Sequence, residues 1–258
     1  MRAIPPKIQI LKFVWEQGIV TVDDVTRHLF QPDKFRAVRI ALHKLGVAHI
    51  KYPGTKHGIW FIDKPELYDL LSCYFPDLPS FEVRPVPVIQ FLHYLEINRI
   101  RTAIQNSGQI IIDEWWSENY IRALDPAWRS RADNSIIPDA IFWRKRPDGT
   151  RQQFFLEYER TLKNRERYTD IFCYYAKREG VQNRNVIYIC QTPYIRQALV
   201  SIEARLAKVG KLEGTGLYFQ FVTLESFYKT YGDQPINKEI LPCAPSNNGS
   251  RLPAVNVS

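Results

Sequence analysis

Residues 137–159 open with Ile137-Pro138-Asp139-Ala140-Ile141-Phe142, pass through Pro147-Asp148-Gly149-Thr150, and close on Phe154-Phe155-Leu156-Glu157-Tyr158-Glu159. Two apolar runs flanking a Pro-Asp-Gly turn read as adjacent strands of a β-hairpin. Three carboxylates are embedded in those runs. Burying an ionised carboxylate costs several kcal/mol unless a cation or hydrogen bonds offset it. A divalent ion of the Mg²⁺ type, ligated by carboxylate oxygens, would provide that offset and can drive phosphodiester chemistry.

The two-residue period of a strand places Glu157 and Glu159 on one face, with Leu156 and Tyr158 on the other. Register decides whether Asp139 joins them. A two-residue Asp-Gly turn would set Asp139 opposite Tyr158, on the wrong face. A three-residue loop or one bulge would bring it opposite Glu159 and diagonal to Glu157, so a shared acid site demands the longer turn. The alternative is a structural one: Glu-x-Glu is a solvated strand face, or the acids pair with Arg160, Arg165 or Arg167.

Outward from this hairpin, residues 88–232 read α-β-β-β-α-β-α-β. A helix is expected from Pro87 to about Gln105, and strands at Ile110–Trp116, Ile136–Trp143 and Phe154–Arg160. The stretch Asn164–Arg178 carries Tyr168, Ile171, Phe172 and Tyr175 at helical spacing. A strand at Val186–Cys190, a helix at Tyr194–Val209 and a strand at Leu217–Val222 complete the unit. Residues 233–258 show little periodicity and read as a loose tail. Trp115, Trp116, Trp128 and Trp143 are expected in the core rather than stacked on bases. Arg122, Arg129 and Arg131 read as a polar loop that either is solvated or holds phosphates.

Residues 1–64 form a different unit. Pro5 and Pro6 precede a helical face of Ile8, Leu11, Val14 and Trp15. Thr21 and Asp24 form a loose capping box for a second helix. A third helix opens at Pro32-Asp33, turns Phe35, Val38, Leu42 and Leu45 inward, and stops at Gly46. Strands at Val47–Tyr52 and Ile59–Ile62 flank a basic turn. Three helices and a hairpin resemble a winged helix-turn-helix, whose third helix enters the major groove while the wing touches the backbone. Candidate DNA contacts are therefore Lys34, Arg36, Arg39, His43 and Lys44 near the third helix, and Lys56 and His57 at the wing. A winged-helix protein-interaction module with a solvated basic face is the other reading. Residues 65–87 hold five prolines and read as a linker, with Leu67–Phe75 able to form a helical turn.

Composition agrees with a polyanionic partner. The formal charge is +8. Residues 1–64 carry 11 Lys and Arg against 5 Asp and Glu, a net of +6 that leaves +2 for the other 194. Four dispersed cysteines fit neither a zinc ribbon nor a disulfide framework. With no apolar run of about 18 residues and no signal-peptide pattern, a cytoplasmic, non-membrane protein is expected. No Walker motif, GxGxxG or nucleophile elbow is present.

The order helix, three strands, helix, strand, with Pro138-Asp139 and Glu157-Tyr158-Glu159 on the strands, resembles the PD-(D/E)xK restriction-endonuclease-like fold. More narrowly, Ile137–Phe142, Phe154–Arg160 and the Tyr174-Tyr175 helix, together with His93, Asn98, Trp116, Glu118 and Arg122, resemble the replication-relaxation family. These proteins of plasmids and integrative elements join a winged helix to a nuclease-like domain. The resemblance implies that Asp139 and Glu157 bind Mg²⁺ or Mn²⁺, with Glu96 able to complete the shell. It also implies a catalytic set of Asp139, Glu157, Glu159 and Lys163. The Lys usual in active members of the nuclease fold, two residues after the first Glu, is here Glu159, and Lys163 or Lys177 would supply the displaced ammonium. The implied function is that of a DNA-binding accessory protein in plasmid replication or conjugative mobilisation. Its partners would be double-stranded DNA, a relaxase or the replication or transposition machinery, and a second copy in a homodimer. The rivals are a Mg²⁺-dependent endonuclease or nickase, and a transcriptional regulator whose second domain only dimerises.

Overall fold

The computed structural model describes residues 3–52, 55, 57–77, 90–124, 136–177, 184–213 and 216–232. Helix α1 (Pro6–Gln17) starts on a proline, where a missing N–H costs nothing, and ends at Gly18. Helix α2 (Val22–Leu29) is held by a reciprocal cap. Asp24 N donates to Thr21 Oγ1 at 3.1 Å, and Thr21 N donates to Asp24 Oδ2 at 2.7 Å. A 3₁₀ turn at Pro32–Lys34 leads into α3 (Phe35–Leu45), which stops at the left-handed Gly46. Strands β1 (Ala48–Ile50) and β2 (Ile59–Phe61) pair antiparallel. Ile8, Leu11, Val14, Val25, Leu42 and Trp60 share one core.

The proline-rich stretch contains a full helix, α4 (Pro65–Tyr74), whose Leu67 and Leu71 join that same core. Its later part, residues 78–89, lies outside the described residues. So does the expected tail beyond Gly232.

Helix α5 (Phe91–Ser107) leads to β3 (Ile112–Ser117), α6 (Glu118–Leu124), β4 (Ala140–Lys145), β5 (Arg151–Glu159) and α7 (Arg165–Lys177). Then come β6 (Arg184–Cys190), α8 (Pro193–Lys208), β7 (Leu217–Thr223) and α9 (Leu224–Tyr231). The sheet order is β3-β4-β5-β6-β7. β3, β4 and β5 run antiparallel, and β5, β6 and β7 run parallel, so β5 is central. Tyr168, Phe172 and Tyr175 of α7 and Leu199 of α8 cover one face. Ile97, Ile100 and Ile104 of α5 and Phe227 of α9 cover the other. The chain is thus a mixed α/β protein in three layers. The short helices α6 and α9 depart from the expected order. Arg122, expected in an open loop, lies on α6 and binds Glu118 one turn back. No helix among the described residues is long and apolar enough to cross a membrane.

Helix α5 also grips the N-terminal helices. Asn98 Nδ2 donates to the Ile19 carbonyl at 2.7 Å. The Arg101 guanidinium donates to His28 Nε2 at 2.8 Å and lies over the rings of Phe13 and Trp115. The Ser117 hydroxyl donates to the Glu16 carbonyl. Ile19 and Ile59 pack in one apolar cluster with Phe91 and Leu95.

Candidate functional site

The turn between β4 and β5 is the longer kind. Arg146 N donates to Thr150 O at 2.8 Å, enclosing Pro147-Asp148-Gly149 with Gly149 at φ 81°. The Asp148 carboxylate accepts from Thr150 N at 2.9 Å and pins the loop. This register pairs Ala140 with Leu156, which brings Asp139 in line with Glu157. Asp139 was expected opposite Glu159, two residues further along. Proline explains the difference: Pro147 has no N–H to offer the closing pair, so the ladder closes at Arg146 and Thr150 instead. Asp139 still falls on the side of Glu157 and Glu159.

Both oxygens of Asp139 are engaged. Oδ2 accepts from Tyr158 N at 2.6 Å, and Oδ1 meets His93 Nε2 at 2.8 Å. The His93 ring stacks on Tyr158. Burial pulls the His93 imidazole down, but the Asp139 carboxylate, together with Glu118 and Glu159, outweighs it and the pKa is raised.

Glu157 and Glu159 are buried, at 8 % and 3 % exposure. Burial, and then the charge of Asp139, push Glu157 well above the usual carboxylate range, although the Tyr175 hydroxyl donates to it. Burial also raises Glu159, against the pull of Lys163. Lys163 Nζ lies 2.5 Å from Glu159 Oε1; burial pulls Lys163 down, but that ion pair, together with Glu157 and Asp139, holds it above its ordinary value. Lys163 therefore supplies the cation at Glu159, the place that Arg160, Arg165 or Arg167 would hold in the structural alternative. Lys177, at the end of α7, is exposed and makes no ion pair among the described residues.

Tyr188 sits beside Glu157 in the β5–β6 register. Its hydroxyl is fully buried, has no hydrogen-bond partner among the described residues, and is raised by burial and by Glu157 and Glu159. Glu96, by contrast, is not brought into this cluster. Its Oε1 accepts from Tyr228 OH at 2.5 Å and its Oε2 meets Arg99, beside Tyr158 on the opposite face of β5.

Three carboxylates thus meet one ammonium and one imidazole. The donors are hard oxygens, and Mg²⁺ commonly takes only one or two protein carboxylates and keeps water for the rest. Asp139 and Glu157 are the side chains here that could hold such a cation, and the Tyr188 hydroxyl beside Glu157 has no hydrogen-bond partner among the described residues. Among the described residues no group of three or more His, Cys, Asp or Glu forms a ready metal cage.

On α3, Arg36, Arg39, His43 and Lys44 are exposed, while Lys34 pairs with Asp33 at 2.9 Å. His57 packs its ring on Phe35, and its carbonyl meets His49 Nε2 at 3.0 Å. An open groove between α3 and the hairpin is lined by Arg39, His43, His49, Lys51, His57 and Trp60. Lys56, Trp128, Arg129 and Arg131 lie outside the described residues. Trp115 is buried, and Trp116 and Trp143 pack edge to face at 4.5 Å.

Sequence reasoning assigned no role to His93, Tyr175 or Tyr188. His93 stood only within the family resemblance, Tyr175 there and in the apolar stripe of its helix, and Tyr188 looked like any apolar strand residue. His49 was missed because its partners, His43 and Trp60, approach only through the fold. Comparison with protein-family models, with curated proteins and with solved structures finds no match.

Proposed function

We propose that the protein binds double-stranded DNA through an N-terminal winged helix and acts as an accessory factor of a mobile genetic element, in plasmid replication or conjugative mobilisation. The observation that carries DNA binding is the outer face of α3. Arg36, Arg39 and Lys44 reach solvent there with no ion-pair partner among the described residues, and the face opens onto the groove beside the hairpin. Free cations on a third helix suit phosphates and base edges, and the hairpin would then lie along the backbone. The link to plasmids and mobilisation rests on the replication-relaxation resemblance. A relaxase, replication or transposition proteins, or a second copy would engage the PD-(D/E)xK-like sheet, in the cytoplasm. The test is duplex affinity across a salt series. Replacing both Arg36 and Arg39 with alanine should weaken binding at least tenfold and reduce the salt slope by about 1 to 2, as for one or two lost phosphate contacts. Unchanged affinity and slope would remove α3 from the interface.

A second reading, a Mg²⁺- or Mn²⁺-dependent endonuclease or nickase, is favoured by Lys163 reaching the acid cluster from outside the usual motif position. Asp139 and Glu157 would hold the divalent cation, which supplies Lewis acidity toward a scissile phosphate when bound. His93 and Tyr158 N–H fix the orientation of Asp139, and the Tyr175 hydroxyl fixes Glu157. Glu159, in the place of the usual Lys, is the candidate proton acceptor, with Lys163 balancing its charge. Nicking of supercoiled plasmid with either metal, lost in Glu157→Gln, is the expected result of this reading. Mn²⁺ binding by calorimetry without nicking leaves the accessory role alone.

A further inference from the structure

Helix α3 turns Val38 and Leu42 into the core. At about 100° per residue, the position diametrically opposite their mean direction is residue 40. Ile40 occupies it, 43 % exposed on the outermost line of the helix. Arg36, His43 and Lys44 are its neighbours one turn before and after, with Arg39 beside it, and all four are exposed. Ile40 belongs to none of the apolar clusters of the described residues.

The cations select a polyanion, and the groove of His43, His49 and Lys51 extends that surface from the helix to the hairpin. Phosphates are met by charge and hydrogen bonds, so they give no reason for an aliphatic side chain at the centre of the face. Duplex DNA does offer an apolar group at this depth. Of all base edges in the major groove, thymine alone presents a methyl group. We infer that Ile40 is a specificity-determining residue that packs on the C5-methyl of a thymine, while Arg36, Arg39 and Lys44 hold phosphates or guanine edges around it. The inference rests on the DNA-binding reading above and narrows it to a feature of the target sequence.

The full-length protein is used to select duplexes from a random-sequence library. Each thymine of the selected duplex is then replaced singly by deoxyuridine, which removes only the methyl. At one position, deoxyuridine should weaken wild-type binding about fourfold, the equivalent of one buried methyl. Ile40→Ala should bind the two duplexes equally at that position, and Ile40→Val should keep part of the difference. Because the side chain faces away from the core, both variants should match the wild-type circular dichroism and melting temperature. Tight duplex binding that no deoxyuridine weakens, or discrimination that survives in Ile40→Ala, overturns the thymine contact and leaves DNA binding standing. Failure to select any duplex at low salt overturns DNA binding itself and this contact with it.

Discussion

Glu157 is a carboxyl group held where ionisation is costly: it is buried, faces the Asp139 charge, and has a tyrosine hydroxyl as its hydrogen-bond donor. Its raised pKa sets the sign of a stability effect. The folded carboxyl keeps its proton at a pH where the unfolded one has lost it. The stabilisation is therefore complete at low pH and is lost as pH rises through the folded value. Each unit of that shift is worth about 1.4 kcal/mol. Glu157→Gln keeps the shape without the ionisation. In chelator, the variant should melt above wild type at pH 8, and the gap should close toward pH 5. A gap independent of pH would mean that the carboxyl is not strained. With Mn²⁺ added, wild type should gain melting temperature and the variant should gain little.

At the scale of elements, two glycines in hairpins separate backbone strain from steric contact. Gly149 has φ +81° and open space where a Cβ would stand. Gly58 has φ +73°, and a Cβ there would come within 2.5 Å of the Ile50 carbonyl oxygen, which is backbone and cannot swing away. Gly149→Ala should cost about 1–2 kcal/mol for the left-handed conformation alone. Gly58→Ala should cost more and should also displace β1 from β2. Chemical denaturation of the two variants gives the comparison, and equal losses would rule out the steric term. The legibility of these hairpins differs. The need for a turn longer than Asp-Gly could be read from strand alternation, because one residue of slip carries Asp139 to the other face. The last two residues of register could not, since they depend on which pair closes around Pro147. Helices α6 and α9 escaped because each is short, and α6 follows its strand with no break.

Across the whole molecule, His28 and Arg101 join the N-terminal helices to α5. Burial, and then the Arg101 charge, hold the His28 imidazole down at about 3, so it stays neutral and accepts the guanidinium hydrogen bond. Here the sign is opposite to that of Glu157. The unfolded His28 takes a proton below about pH 6.5 and the folded one does not. Its stabilisation is present above that pH and is lost as the pH falls toward 3, with a slope of at most about 1.4 kcal/mol per pH unit. His28→Gln retains an acceptor but does not titrate. Its unfolding free energy should fall less steeply than wild type between pH 6 and pH 4. Identical slopes would show that His28 does not carry the acid sensitivity of the junction.

Local pattern alone determined the types of the strands and of the longer helices, the capping box at Thr21 and Asp24, the inward residues of α3, and the shared face of Glu157 and Glu159. Each of these follows from chain geometry within about one helical turn or one strand pair, where the side-chain period is set by the backbone itself. Tertiary structure alone decided that His93 reaches Asp139 across 46 residues, that Glu96 is turned to Tyr228, and that α5 clasps the N-terminal helices. Those choices depend on how layers pack and which charges share a buried space, and neighbouring residues in the chain do not encode either.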